Sequence, residues 1–144
     1  NLGKYNGFLP SLFSATYELY KSNECSLIDE RLISSLFEPI YGLEKVPRSY
    51  LSSVSLLEYD YYKSVGNLNS SIEALDNAYR YKKVGFILYL KSATFNSAGL
   101  YEIAIEAIDE AIEIERGKVF FQQGNLESYK IFREKLLISI GADR

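Results

Sequence analysis

Apolar residues recur along most of this chain at spacings of three and four, and single glycines separate the runs. Leu9, Leu12, Phe13, Tyr17 and Tyr20 predict a first helix over Phe8 to Tyr20, with Pro10 in its first turn, where a missing N–H does no harm. Ser26 followed by Asp29 and Glu30 reads as a cap with acidic residues behind it. The helix it opens runs through Ile33, Leu36 and Phe37, and Pro39 stops it. A loop from about Pro39 to Arg48, holding Gly42 and Pro47, is the best internal boundary. Helices are then expected over about Ser49 to Val65, Asn69 to Lys82, Val84 to Ala98 and Leu100 to Glu115. A short piece follows Gly117 to Gln123, and a last helix covers Leu126 to Ile140, with Tyr129, Phe132, Leu136, Leu137 and Ile140 expected on its inner, core-facing side. No stretch keeps the two-residue alternation of a half-buried strand, so the expected fold class is all-α.

Two of these segments are alike. Ser64–Lys83 lies over Ser97–Arg116 without a gap, and seven of twenty positions are identical: Ser64/Ser97, Gly66/Gly99, Ile72/Ile105, Glu73/Glu106, Ala74/Ala107, Asp76/Asp109 and Ala78/Ala111. Gly66 and Gly99, 33 residues apart, can take the positive φ that turns one helix into an antiparallel next. Small Ser71, Ala104, Ala78 and Ala111 let paired helices approach, while Leu75 and Ile108 supply the larger apolar contact. A period of this length marks stacked helical hairpins.

The pattern resembles the tetratricopeptide repeat family over about Ser52 to Arg116. Tyr62 and Phe95 fit the large aromatic of the first helix, and Ser92 the small residue at the helix crossing. Tyr59 departs from that small residue, and Lys83 or Arg116 stands where the repeat usually ends in proline. The resemblance implies a short solenoid of antiparallel hairpins: a lead-in over 1–48, two hairpins over 49–116 and a capping helix within 117–144. It also implies a non-catalytic interaction module binding a peptide or partner domain on its concave face. The repeat register puts Leu56, Asp60, Lys63, Phe86, Tyr89, Ala93 and Asn96 on that face. These residues lack a Lys/Asn cluster for clamping a terminal carboxylate, so binding is expected to use aromatic and polar contacts.

The order of the whole chain, a helical lead-in with lone Cys25, a loop, two divergent repeats and a closing helix rich in Arg, Lys and Leu, is similar to the soluble C-terminal region of bacterial O-antigen polymerase or ligase-like membrane proteins. That resemblance implies a periplasmic accessory domain, preceded by apolar spans, that touches glycan or a partner enzyme. A cytoplasmic protein is the alternative. The chain contains no methionine and starts at Asn1, so it is expected to be part of a longer or processed protein.

Composition removes several chemistries. A net charge of −3 and a pI near 5.1 argue against a nucleic-acid partner. No histidine is present, which removes most catalytic triads and His-based metal sites, and no phosphate-binding glycine motif occurs. No cofactor, metal or catalytic residue is therefore expected. Glu102, Glu106, Asp109, Glu110, Glu113 and Glu115 share one helix with a buried stripe of Ala104, Ile108 and Ile112. They read as a solvated face, with ion binding or acid–base chemistry as the alternative. Cys25 cannot form an intrachain disulfide and reads as a small apolar residue. Thirteen tyrosines and eight phenylalanines without tryptophan are the compositional oddity. Tyr50, Tyr59, Tyr61 and Tyr62 surround one helix, suiting either packing or a groove that stacks peptide or sugar. Asn69 opens a glycosylation sequon and is expected to act as a helix cap.

Overall fold

The computed structural model describes residues 46–143 together with Glu38 and Tyr41. Of the two helices expected before Pro39 only Glu38, which is helical, is described; the rest of them and the placement of Cys25 lie outside the described residues. The chain divides into two compact units between Lys82 and Lys83. Among the described residues there are five helices and no strand: α1 Arg48–Ser64, α2 Leu68–Tyr81, α3 Gly85–Ser97, α4 Tyr101–Arg116 and α5 Leu126–Asp143. A 3-10 turn at Phe120–Gln122 precedes the last of them. Tyr41, expected in a loop, is helical instead.

In the first unit α1 packs on α2. Gly66 sits at φ +75°, its N–H donates to Lys63 O at 3.2 Å, and Asn67 N–H reaches back to Tyr62 O at 2.9 Å. This is a Schellman closure, which satisfies carbonyls that a helix end leaves open. The Asn67 side chain then accepts from Ser70 N–H and caps α2. The cap is thus Asn67 and not Asn69, which lies inside α2; one asparagine both ends the turn and starts the helix. Val54, Leu75 and Ala78 are fully buried between the helices, and Ser52 Oγ donates to Ala78 O at 3.0 Å. Tyr59, Tyr61 and Tyr62 are all buried. At 100° per residue they cannot share one face, so α1 is covered on more than one side. Tyr41 accounts for part of that cover. It stacks on Tyr81 with centroids 6.0 Å apart and bonds the buried Ser55 hydroxyl at 2.8 Å.

The second unit repeats the turn. Gly99 has φ +76°, its N–H reaches Asn96 O at 3.0 Å, and Leu100 N–H reaches Phe95 O at 2.9 Å. Helix α3 packs on α4, and α4 on α5. Ser92, fully buried, donates to Ala104 O at 2.6 Å, where the sequence expected a small residue at a crossing. Near the other end Gly85 is pressed against Ala111, and a Cβ there would sit 3.2 Å from the Ala111 carbonyl. Positions 52 and 85, 33 apart, thus meet positions 78 and 111, also 33 apart. Gln123 Nε2 donates to the Arg116 carbonyl, the last of α4, at 3.2 Å and to Lys118 O at 2.8 Å.

Helix α5 carries the expected inner residues Tyr129 and Leu136, both buried, with Phe132 half-buried. Leu137, expected on the same side, is 39% exposed. It follows Leu136 by one residue, a rotation of about 100° that carries it off the stripe. No helix among the described residues is long and apolar enough to cross a membrane.

Candidate functional site

The second unit holds an aromatic groove of about 290 Å3 between α3 and α5. Phe86 and Tyr89 come from α3; Tyr129, Ile131 and Phe132 come from α5. Tyr89 is the hub. Its ring stacks on Tyr129 at 5.4 Å, meets Phe132 edge-on at 5.2 Å and lies 6.3 Å from Phe86. Helical spacing makes this possible: residues 86 and 89 are three apart on α3, as are 129 and 132 on α5, so each pair shares a face. Phe86 is 50% exposed and Ile131 58%, which leaves apolar surface at the mouth. Asn125, Ser128 and Lys135 line the polar edge, and among the described residues Lys135 is the only charged one in the lining.

Behind Tyr129 lies a buried carboxylate. Glu115, expected on the solvated face of α4, is 2% exposed. The spacing explains this, since Ile108, Ala111 and Glu115 follow i, i+3, i+7 along the buried stripe. Its Oε1 accepts from Lys118 Nζ at 2.9 Å, and the same oxygen would lie 3.1 Å from a Cβ on Gly85. Gly85 opens α3, whose cap residue Val84 supplies no side-chain bond and whose first turn holds no acid. Glu115 places negative charge where the helix dipole favours it. Burial, then the Glu115 charge, push the Tyr129 phenol up to about 12, so it stays protonated at neutral pH. Its hydroxyl and Glu115 Oε2 are buried without a protein partner.

The other acids of α4 behave differently. Glu102, Glu106, Glu110 and Glu113 are exposed, as a solvated face requires. Asp109 pairs with Arg133 of α5 at 2.5 Å, and Glu113 with Arg116 at 2.8 Å. These residues, with Lys130 and Glu134, line a cleft of about 520 Å3 whose charges balance. No cluster of three metal-ligating side chains occurs among the described residues.

Of the residues expected on a binding face, Phe86 and Tyr89 meet in the groove. Ala93 and Asn96 follow them on α3, half-buried and outside its lining. Leu56, Asp60 and Lys63 lie on α1 in the first unit. Leu56 and Asp60 are half-buried, and Lys63 is exposed with its Nζ 5.8 Å above the Tyr59 ring. Burial raises the Asp60 carboxyl pKa above its usual value, and the Lys63 charge opposes that rise. The groove's second wall, Tyr129 and Phe132, was legible only as an apolar stripe meant for the core. No family model significantly matches the chain, nor does any curated protein or solved structure.

Proposed function

We propose that this chain is a tetratricopeptide-like interaction module that binds a peptide segment or partner domain and performs no catalysis. The aromatic groove carries the reading: four rings converge on one opening, with exposed apolar surface at its mouth and hydrogen-bonding groups along one edge. Aromatic anchors with a polar rim are the usual chemistry of protein recognition. The solenoid part is supported by the matching glycine turns and by helix contacts that recur at the same 33-residue offset. On that register Leu56, Asp60 and Lys63 of the first unit are the counterparts of Tyr89, Ala93 and Asn96 of the second.

A second reading, saccharide contact in an O-antigen polymerase or ligase-like setting, is favoured by the edge of Asn125, Ser128 and Lys135 beside ring surface. One experiment separates the two. Peptides are selected on the full chain from a random display library, an oligosaccharide panel is screened in parallel, and binding is measured by calorimetry. Peptide binders should emerge, and Phe86→Ala should weaken them by roughly tenfold or more. Phe86 is exposed enough that melting should not change. Saccharide binding lost with Phe86→Ala, and no peptide selected, would favour the second reading. Peptides held equally well by Phe86→Ala would place recognition elsewhere.

A further inference from the structure

The face of α5 opposite Tyr129 and Leu136 carries Glu127, Ile131, Glu134, Lys135, Ile138 and Ala142, all exposed. Ile131 is 58% and Ile138 71% exposed, and they lie seven residues apart on one strip of the helix. Two exposed isoleucines alone would be unremarkable, because scattered apolar side chains are normal on a surface. Their setting is what matters. Reversed about the Glu134–Lys135 peptide, the centre of the strip is complementary to itself: Ile131 falls on Ile138 and Glu134 on Lys135, while the outer Glu127 falls on Ala142 and adds nothing.

We propose that this strip is a homodimer interface, in which two copies of α5 pair antiparallel about a two-fold axis through the Glu134–Lys135 peptide. In that register each Ile131 packs on Ile138 of the second copy, and four isoleucines flank two Glu134–Lys135 ion pairs at the centre. An isologous interface must be complementary to itself, and opposite charges at adjacent central positions meet that condition only in the antiparallel sense. A parallel pairing sets Glu134 beside Glu134 and Lys135 beside Lys135, which repel. An unrelated partner would need no such symmetry in the sequence. The strip is one helix wide, so the dimer is weak and concentration-dependent.

Sedimentation velocity of the full chain, over a concentration series reaching the millimolar range, tests this. The wild type should pass from monomer to dimer. Glu134→Lys gives two lysines that face two lysines, and Lys135→Glu gives the reverse. Each variant alone should dimerise only at concentrations roughly tenfold higher or more, if at all. An equimolar mixture of the two should restore dimers, and the double exchange E134K/K135E should dimerise like the wild type. Ile131 and Lys135 also line the groove, so the dimer and a groove peptide compete for them. Ile138→Arg should be monomeric and bind groove peptides at least as well as the wild type, because Ile138 itself does not line the groove. A wild type that stays monomeric throughout, a dimer that survives both single exchanges, or a mixture that fails to reassociate would overturn the proposal.

Discussion

Two residues show how local chemistry sets stability here. Glu58 of α1 accepts a hydrogen bond from the Tyr41 hydroxyl, and Glu73 lies near enough to repel it. Burial is the largest influence and raises its pKa, with the repulsion adding and the hydrogen bond opposing. A raised carboxyl favours folding most below its ordinary value of 4.5, where it is protonated in both states. As pH rises through the elevated folded value, the unfolded chain ionises freely while the folded one must hold a buried charge, and stability is lost. Glu58→Gln keeps an acceptor for Tyr41 without that charge. It should therefore be more stable than the wild type at neutral pH, and the gap should close on acidification, as read by urea unfolding. A variant less stable at neutral pH would mean that the Tyr41 bond to the carboxylate outweighs its burial. Gly85 is limited by space and not by backbone angle. A Cβ there meets the Ala111 carbonyl, fixed within α4, at 3.2 Å and the paired Glu115 carboxylate at 3.1 Å. Overpacking of this kind costs about 1–3 kcal/mol. The alanine propensity gain is at most about 1 kcal/mol. Gly85→Ala should thus lower the urea midpoint, and an unchanged midpoint would show that the helices separate freely.

Among the elements, the hairpin turns were the most legible part of the chain. Gly66 and Gly99 announced themselves because only a residue without a side chain takes φ near +75° cheaply, and both take it. The small positions of α2 and α4 were legible for a related reason: Ser71, Ala74, Ala78, Ala104 and Ala111 are buried where helices meet, and larger side chains would hold the helices apart. What misled was reading charge before spacing. Glu115 sits on the same stripe as Ile108 and Ala111, but its carboxylate suggested water. Only the folded neighbours, Lys118 and the start of α3, make its burial tolerable. The groove was half legible for the same reason. Phe86 and Tyr89 followed from repeat register, whereas Tyr129 and Phe132 read as core, since one sequence cannot show that two aromatic faces leave an opening between them. Asn67 against Asn69 is a smaller case. Both are good caps, and the Schellman bond from Asn67 N–H to Tyr62 O selects the first.

On the scale of the molecule the terminal helix decides whether the second unit is finished. Helix α5 rests on α4, where Ile108 and Ile112 are buried. Deleting everything after Gly124 removes Tyr129 and Leu136, which are 3% and 1% exposed, and uncovers the surfaces against which they pack. At about 1.5–3 kcal/mol for each buried side chain, the loss is roughly 3–6 kcal/mol. That is a large share of the roughly 5–15 kcal/mol by which a domain is stable. Loss of the Arg133–Asp109 pair adds little, because the pair is partly exposed. The truncated chain should melt earlier and less cooperatively, bind an apolar dye and aggregate. Removing α5 also removes the proposed dimer strip, so the proper comparison is Ile138→Arg, which disables that strip and leaves the cover in place. If the cover is what counts, Ile138→Arg melts like the wild type while the truncation does not. A truncated chain that stayed monomeric and melted at the same temperature would show that α5 is an appendage and that α3 and α4 bury their own core unaided.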